Sequence, residues 1–294
     1  MIAQLYRLGL LLLAPITIAA ALLHVALGLL YAVLLFPWIG SAWRDAAVTT
    51  WSRLLLLIIG VRLDSHGLPP RPGGKAGEGA GQPAVGSLLL INHSSWLDVF
   101  SVAALVPARF VSKAEIGRWP VFGWLAIVVG TLFVERGRRH AVVRTNQAVA
   151  ERLRSGQLIG VFPEGTTTDG SRLLPFHANL VQPAIDLNAP LRPVGVRFTQ
   201  RGEYSRAAMF VGEMNLMQSL WRVVTAPHLA VEVHWLPPIE PVPSNRHAAA
   251  RVARAAIARA LDVPLDEREL LASDVSAGAE TSDTEPGPRS APAS

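Results

Sequence analysis

The residues Leu88–Asp98 read Leu-Leu-Leu-Ile-Asn-His-Ser-Ser-Trp-Leu-Asp, and they predict both a fold element and a chemical site. The apolar run Leu88–Ile91 has the length and composition of a buried strand. His93 and Asp98 follow directly where that strand ends. A carboxylate that holds one imidazole nitrogen leaves the other nitrogen available to take a proton from a hydroxyl. The pattern therefore predicts an acid–base pair without its own nucleophile, in an enzyme that activates a hydroxyl of its substrate.

The spacing of this pair restricts the local fold. In one continuous helix, positions i and i+5 lie roughly 140° apart around the axis, so the two side chains would not meet. They meet if His93 lies in the turn after the strand and Asp98 lies in the first turn of the next helix, with Ser94 or Ser95 as the N-cap. The alternative on spacing alone is a capped helix with a surface histidine and an acidic first turn.

Composition limits the class of protein. The 294 residues are enough for one large domain. The absence of cysteine excludes disulfides, thiolate catalysis and cysteine-ligated metals. The net charge of +5 comes almost wholly from arginine, since Lys75 and Lys113 are the only lysines. Together with an apolar N-terminus, this charge favours an anionic membrane surface as partner and not nucleic acid, for which no motif is present.

The N-terminal segment predicts a membrane anchor. From Leu8 to Trp43 the sequence contains no Asp, Glu, Lys or Arg. About 20 apolar residues span a bilayer, so the run predicts either one long tilted span or two short helices that form a hairpin in one leaflet. Arginines after the run favour the inner membrane, with the remaining chain facing the cytoplasm. A signal peptide cleaved near Ala19–Ala21 is the alternative, although the apolar sequence continues to Ile39.

Beyond this anchor, strand patterns alternate with helical patterns. They predict an α/β fold with a mostly parallel sheet flanked by helices, after an N-terminal membrane-embedded helical segment. We expect membrane-anchoring helices over 1–62, a Pro/Gly-rich loop over 63–86, the α/β domain over 87–265 and a disordered tail over 266–294. The predicted strands lie near Leu88–Ile91, Arg109–Ser112, Thr131–Glu135, Leu158–Phe162, Leu191–Phe198, Ala207–Val211 and Leu229–Trp235. The predicted helices cover Trp96–Leu105, Pro120–Val128, Arg139–Arg154, Asn179–Leu187, Leu216–Val224 and Ala248–Leu261.

Two further strand ends carry polar groups, and one further strand is a candidate for the site. Phe162–Gly170 supplies Glu164 and several hydroxyls, or it forms only a tight turn. Another predicted strand ends in Arg136. Its guanidinium suits a phosphate or carboxylate. The alternative is that the arginines here only form the start of a solvated basic helix. The strand around Pro193 is either part of a site or simply buried. Ligands of open α/β sheets bind outside the carboxyl ends of the strands, so these ends predict one crevice.

Other chemistries lack their residues. The sequence has no Gly-x-Ser-x-Gly elbow and no His-Glu-x-x-His helix. The remaining histidines are scattered along the chain, and we interpret them as core or surface residues and not as metal ligands: His24, His66, His140, His177, His228, His234 and His247.

Taken in chain order, the four segments resemble the four motifs of the glycerolipid acyltransferase family, to which the lysophosphatidic acid acyltransferases belong. The matching motifs are His-x-x-x-x-Asp at His93 and Asp98, Gly-x-x-Phe-x-x-Arg at Gly130, Phe133 and Arg136, Phe-Pro-Glu-Gly-Thr at Phe162–Thr166, and the proline-containing strand at Pro193. The resemblance covers Leu88–Phe198 well and the N-terminal segment in kind.

The resemblance implies an O-acyltransferase. Such an enzyme moves a fatty acyl group from acyl-CoA or acyl-carrier protein to the free hydroxyl of a membrane lysophospholipid, foremost 1-acylglycerol-3-phosphate, giving phosphatidic acid. His93 would be the general base, and Asp98 would orient it. The substrate-binding residues would be Gly130, Phe133, Arg136, Glu164, Gly165 and Thr166. The resemblance implies no metal and no bound cofactor, since the thioester is a co-substrate.

One position departs from the family pattern. Members that make phosphatidic acid commonly carry Arg after Phe-Pro-Glu-Gly-Thr, and here Thr167 stands there. The change removes a bidentate partner for phosphate, for which Arg172 is a downstream substitute. Lyso-ornithine lipid or another lysolipid therefore remains open as the acceptor. A lipid or thioester hydrolase and a non-catalytic lysolipid-binding membrane protein are the alternatives from other classes.

Overall fold

The computed structural model describes residues 2–72, 85–118, 123, 126–127, 130–134 and 139–266. The helices are α1 (Ile2–Leu35), α2 (Ser41–Ile58), α3 (Leu97–Ala103), α4 (Arg139–Arg154), α5 (Gln182–Asp186), α6 (Leu216–Val224) and α7 (Arg246–Leu261), and a 3₁₀ turn covers Ala114–Arg118. The strands are β1 (Arg62–His66), β2 (Leu88–Ile91), β3 (Ala108–Lys113), β4 (Leu132–Val134), β5 (Leu158–Val161), β6 (Leu191–Gln200), β7 (Glu203–Tyr204) and β8 (Leu229–Trp235).

These strands form one sheet in the described part of the chain. Their order is β1-β8-β6-β2-β5-β3-β4, and β7 pairs with β6. Strands β2 to β6 run parallel, whereas β8 and β7 are antiparallel to β6 and β1 is parallel to β8. Helices cover both faces, so the α/β fold with a mostly parallel sheet is confirmed. β2 lies near the centre of the sheet with all four residues buried, which fixes where its polar C-terminal extension emerges.

The N-terminal helices pack on one another and on the sheet domain. Among the described residues, one helix, Leu8–Leu35, is long and apolar enough to cross a membrane, with a mean hydropathy of 2.4. The His24 and Trp51 rings stack with centroids 5.0 Å apart and join α1 to α2. Leu55 and Leu56 of α2 are buried in the core that also contains α3. The apolar end of α2 therefore packs on the α/β domain.

Two expectations about strands were wrong. Ala207–Val211 forms no strand, because the backbone N–H of Phe210 donates to Ser94 at 3.0 Å instead of joining the sheet. Residues 63–66, which we expected to begin the Pro/Gly-rich loop, belong to strand β1. β1 was missed because its sequence, Arg-Leu-Asp-Ser-His, is too polar for an apolar strand pattern. Residues 73–84 of the expected loop, most of the predicted Pro120–Val128 helix and residues 267–294 of the expected tail lie outside the described residues.

Candidate active site

The turn between β2 and α3 brings His93 and Asp98 together. His93 Nδ1 lies 2.9 Å from Asp98 Oδ2, a distance at which the ring N–H donates a hydrogen bond to the carboxylate. The Asp98 side chain is fully buried, and the His93 side chain is 20% exposed. Because Nδ1 is engaged, Nε2 is the ring nitrogen left for proton exchange. The geometry is the one the spacing required: a histidine in the turn and a carboxylate in the first helical turn.

Backbone groups fix the carboxylate of this pair. Asp98 Oδ2 also accepts hydrogen bonds from the N–H groups of Ser94 at 2.8 Å and Ser95 at 2.9 Å. The residue at the N-cap of α3 is Trp96, so the expectation of a serine at that position was wrong. Ser95 instead accepts from the N–H of Leu97 through Oγ, at 3.2 Å. Three donors on one buried oxygen hold the carboxylate in place for the imidazole.

Glu164 joins the turn after β5 to the same histidine. Its Oε1 accepts from the backbone N–H of His93 at 2.7 Å, and its Oε2 accepts from the N–H of Leu174 at 3.1 Å. Burial is the main cause that raises the pKa of Glu164 to about 7; these two N–H groups and Arg254 oppose the shift, and Asp98 adds to it. In this arrangement Glu164 holds the backbone of the turn that carries His93.

The imidazole is also held from its sides. The Phe162 ring stacks on His93 with centroids 4.1 Å apart and an interplanar angle of 24°. The N–H of Thr168 donates to the His93 carbonyl at 2.9 Å. The Asn92 amide, one residue earlier, exchanges two hydrogen bonds with the backbone of Val196 in β6, at 2.7 and 2.9 Å. Asn92 was not among the predicted site residues. An amide side chain directly after an apolar strand was the signal in the sequence, since such an amide can hydrogen-bond the backbone of a neighbouring strand.

A cavity of ≈ 1310 Å³ adjoins the histidine. His93, Gly165 and Thr166 line it from the sheet side, and α1 and α2 line it with largely apolar side chains such as Leu27, Tyr31, Ala46 and Trp51. Lys113, at the end of β3, adds a cation that the sequence reading did not connect with the site. No pattern in the sequence marks Lys113, because its place beside the site depends on the pairing of β3 with β5. The N-terminal helices thus form part of the wall of a large and mostly apolar cavity.

Gly130, Phe133 and Arg136 are the other residues that the sequence predicts to bind substrate. Gly130 and Phe133 are not among the described residues that line the cavity, although their neighbours Thr131 and Val134 are. Arg136 lies outside the described residues. Thr167 lines the cavity, and its hydroxyl donates to the carbonyl of Phe210. The side chain directly after Phe162–Thr166 is thus neutral and bonded to the backbone.

Taken together, the fold and site place a hydrogen-bonded His–Asp pair beside a large, mostly apolar cavity. The family model described as Acyltransferase matches residues 77–197. The chain is 37% identical to the lyso-ornithine lipid O-acyltransferase of Pseudomonas aeruginosa over 186 residues, which cover 63% of this chain and 70% of that protein. It is 30% identical to the enzyme of the same name from Brucella abortus, covering 86% of this chain and 96% of that protein. The chain belongs to the acyltransferase family, and it is an O-acyltransferase.

Two further proteins complete the comparison. The 1-acyl-sn-glycerol-3-phosphate acyltransferase of Neisseria gonorrhoeae is 38% identical over 151 residues, and the alignment covers 51% of this chain and 59% of that protein. The crystal structure of the 1-acyl-sn-glycerophosphate acyltransferase from Thermotoga maritima has a TM-score of 0.59 at 16% identity, and the match covers 88% of this chain and 96% of that chain. The second match shows the shared fold. The resemblance drawn from the four motifs is therefore confirmed.

Proposed function

We propose that this protein transfers a fatty acyl group from an acyl thioester, acyl-CoA or acyl-carrier protein, to the free hydroxyl of a lysophospholipid. The observation that carries the proposal is the 2.9 Å bond between His93 and Asp98 in the wall of the apolar cavity. It supplies a base for a hydroxyl beside space for acyl chains. The family membership of the chain supports the same reaction.

The reaction needs a proton carrier and no covalent enzyme intermediate. His93 Nε2 takes the proton of the acceptor hydroxyl while the oxygen attacks the thioester carbonyl. An ester C–O bond forms, the C–S bond breaks, and the leaving thiolate takes the proton back from His93. Asp98, buried against Nδ1, stabilises the imidazolium that exists between these steps. No metal and no bound cofactor enter this scheme.

We take 1-acylglycerol-3-phosphate as the first acceptor. The Neisseria relative that carries this name supports it, as does Lys113, which lines the cavity and carries a cation that suits a phosphate. Arg136 is the second cation we assign to the head group, from its place in the family motif. The product of this reaction is phosphatidic acid.

Lyso-ornithine lipid is the second candidate acceptor, and a specific observation favours it. The Thr167 hydroxyl is bonded to the Phe210 carbonyl and offers no charge to a phosphate. The relatives from Pseudomonas and Brucella carry the name of this activity, and the Brucella protein aligns over 96% of its length. An acceptor without a phosphate monoester removes the need for a guanidinium at this position.

The reaction takes place at a membrane. The apolar helix Leu8–Leu35 and the net charge of +5 support an anchor in a bilayer with anionic lipids. We assign the protein to the inner membrane, with the α/β domain on the cytoplasmic side, where acyl-CoA and acyl-carrier protein are available. Acceptor and product are both lipids, so a membrane-bound site meets them without extracting them into water.

An acceptor panel tests this function. Purified membranes that contain the protein are given one labelled acyl-CoA with lysophosphatidate, lyso-ornithine lipid or lysophosphatidylcholine. We expect label in the diacyl product of one of the first two, and none without an acceptor. Release of free fatty acid from the donor alone would identify a hydrolase. Lysolipid binding without turnover of any acceptor would identify a non-catalytic binder, and either result would reject the proposal.

A further inference from the structure

Three potential metal ligands lie together at the edge of the sheet, apart from the cavity. His66 of β1 is the register partner of His234 of β8, so the two side chains share one face of the paired strands. Glu232 lies two residues before His234 and therefore projects from the same face. One ligand atom from each of the three lies within 4.8 Å of the others. From the sequence, His66 and His234 were interpreted as separate core or surface residues. The pairing of β1 with β8 brings them together.

The distances are close to those of a metal site. The rings of His66 and His234 stack with centroids 4.6 Å apart, and Glu232 Oε2 lies 3.5 Å from His234 Nε2. Zinc bonds of about 2.0–2.2 Å in a tetrahedron place neighbouring ligand atoms roughly 3.3 Å apart. Two of the three ligands therefore already have nearly the required separation. His66 is exposed, so its ring can rotate toward the ion without disturbing packed neighbours.

The polar surroundings of Glu232 orient the carboxylate for this role. The Thr199 hydroxyl donates to Glu232 Oε1 at 3.1 Å, which leaves Oε2 on the side of His234. Hydrogen bonds of this kind commonly orient the ligands of metal sites. Among the described residues, the buried His234 Nε2 makes no well-formed hydrogen bond, and Glu232 Oε2 at 3.5 Å is its ion-pair neighbour. The oriented carboxylate oxygen of Glu232 and the imidazole nitrogen of His234 therefore face each other across 3.5 Å.

Two arginines, Arg197 and Arg62, lie beside the cluster and engage its neighbouring carboxylates. Arg197 Nε lies 3.6 Å from Glu232 Oε2, so a bound cation would share this oxygen with the guanidinium. Arg62 holds Asp64, the register partner of Glu232, through two nitrogens at 2.9–3.1 Å. Asp64 is thereby engaged elsewhere, and the ligand set remains two imidazoles and one carboxylate.

We propose that His66, Glu232 and His234 form a binding site for one Zn²⁺ ion. Zinc binds two imidazoles and a carboxylate and leaves a fourth coordination position for water. Because His66 is exposed, solvent water can reach this fourth position. None of the three residues is among the described residues that line the cavity, and β8 and β6 lie between β1 and β2. The ion would fasten β1, which follows α2 closely in the chain, to β8. Its role is a clamp between the membrane helices and the sheet.

Zinc titration of the tag-free, full-length protein in detergent tests the site. We expect saturation at one Zn²⁺ per chain by isothermal titration calorimetry and a rise in Tm with zinc, because the ion binds only the folded arrangement. His66→Ala and His234→Ala should each weaken the affinity by about tenfold or more and remove the rise in Tm. His247→Ala, which removes an exposed histidine in the first turn of α7, should leave both unchanged.

Each outcome decides the proposal. A wild-type protein that binds no Zn²⁺ at a one-to-one ratio would overturn it. Equal affinities in wild type, His66→Ala and His247→Ala would also overturn it, because the zinc would then be bound elsewhere. If His234→Ala does not fold, the zinc affinity of His66→Ala decides the question alone, because His66 is exposed. The acyl transfer activity of each variant, measured without zinc, reports that its fold is intact.

Discussion

Glu164 Oε1 accepts a hydrogen bond of 2.7 Å from the backbone N–H of His93, so the turn after β5 holds the turn after β2. The second carboxylate oxygen fixes Leu174 at 3.1 Å. The two motifs that the sequence places 71 residues apart are thus parts of one rigid support under the imidazole. Glu164 acts on His93 through the backbone, whereas Asp98 acts on its ring.

The buried Glu164 should give the protein a distinctive dependence of stability on pH. Its pKa is raised by burial from 4.5 to about 7. Between these values the unfolded chain releases this proton while the folded protein keeps it, so the free energy of unfolding falls as pH rises, by up to about 3 kcal/mol from this group. Thermal unfolding of wild type and Glu164→Gln at about pH 5 and about pH 7 measures the difference.

Glu164→Gln loses one hydrogen-bond acceptor, so at about pH 5 its Tm should be lower, by an amount that corresponds to about 1–3 kcal/mol. This deficit should shrink toward pH 7, because only the wild type loses stability as its buried carboxyl group ionises. The informative quantity is the change in Tm between the two pH values, which should be smaller in the variant. The same change in both proteins would show that Glu164 does not titrate in this range.

The charge of Asp98 should be needed for turnover more than for folding. In Asp98→Asn the amide oxygen can still accept from Ser94 and Ser95, but the imidazolium loses its anionic partner. We expect kcat to fall by about 10²–10⁴-fold with little change in expression. Asp186→Asn makes the same substitution at an exposed site on α5 and should retain full activity. An Asp98→Asn enzyme as active as the control would rule out this role of the carboxylate.

A guanidinium at position 167 should shift the choice of acceptor. Thr167→Arg introduces a bidentate partner for phosphate at this position. The ratio of kcat/KM for lysophosphatidate to that for lyso-ornithine lipid should rise by about tenfold, equivalent to roughly 1.4 kcal/mol. Thr167→Met loses the hydroxyl bond to Phe210 without gaining charge and serves as the control. An equal ratio in both variants would show that position 167 does not contact the head group.

Gly28 should be required for the packing of α1 on α2. A Cβ at this position would lie 2.1 Å from Nε1 of Trp51, whereas a Cβ at Gly9 would meet nothing within 4 Å. Gly28→Ala should lower stability by about 1–3 kcal/mol because Trp51 must move. The Tm of the two alanine variants in detergent measures the effect. Gly9→Ala should match or exceed wild type, and an equal loss in both would point to a general effect of alanine in α1.

The sequence predicted the part of the site that neighbouring residues form. The apolar run Leu88–Ile91 followed by a polar turn was enough to place β2, α3 and the contact between His93 and Asp98. β1 was missed because a polar edge strand is stabilised by its neighbour and carries no apolar pattern of its own. The cluster of His66 with His234 was missed for the same reason.

Contacts between distant segments were also beyond the sequence. The bond of Thr167 to Phe210 and the position of Lys113 in the cavity depend on how loops and strands far apart in the chain pack together. The motif spacing indicated which residues belong to the site, but only the packing shows that Glu164 contacts the backbone of His93. Backbone support of this kind leaves no trace in residue type beyond the carboxylate itself.

The most direct measurement of the central claim is the initial rate of acyl transfer from labelled acyl-CoA to the preferred lysolipid in wild type and His93→Ala. The two proteins are compared at equal expression, with His247→Ala as a control. The account predicts that His93→Ala loses transfer to the level of the membrane background while the control keeps the wild-type rate. Full activity of His93→Ala would contradict it, because another group would then have to take the proton from the acceptor.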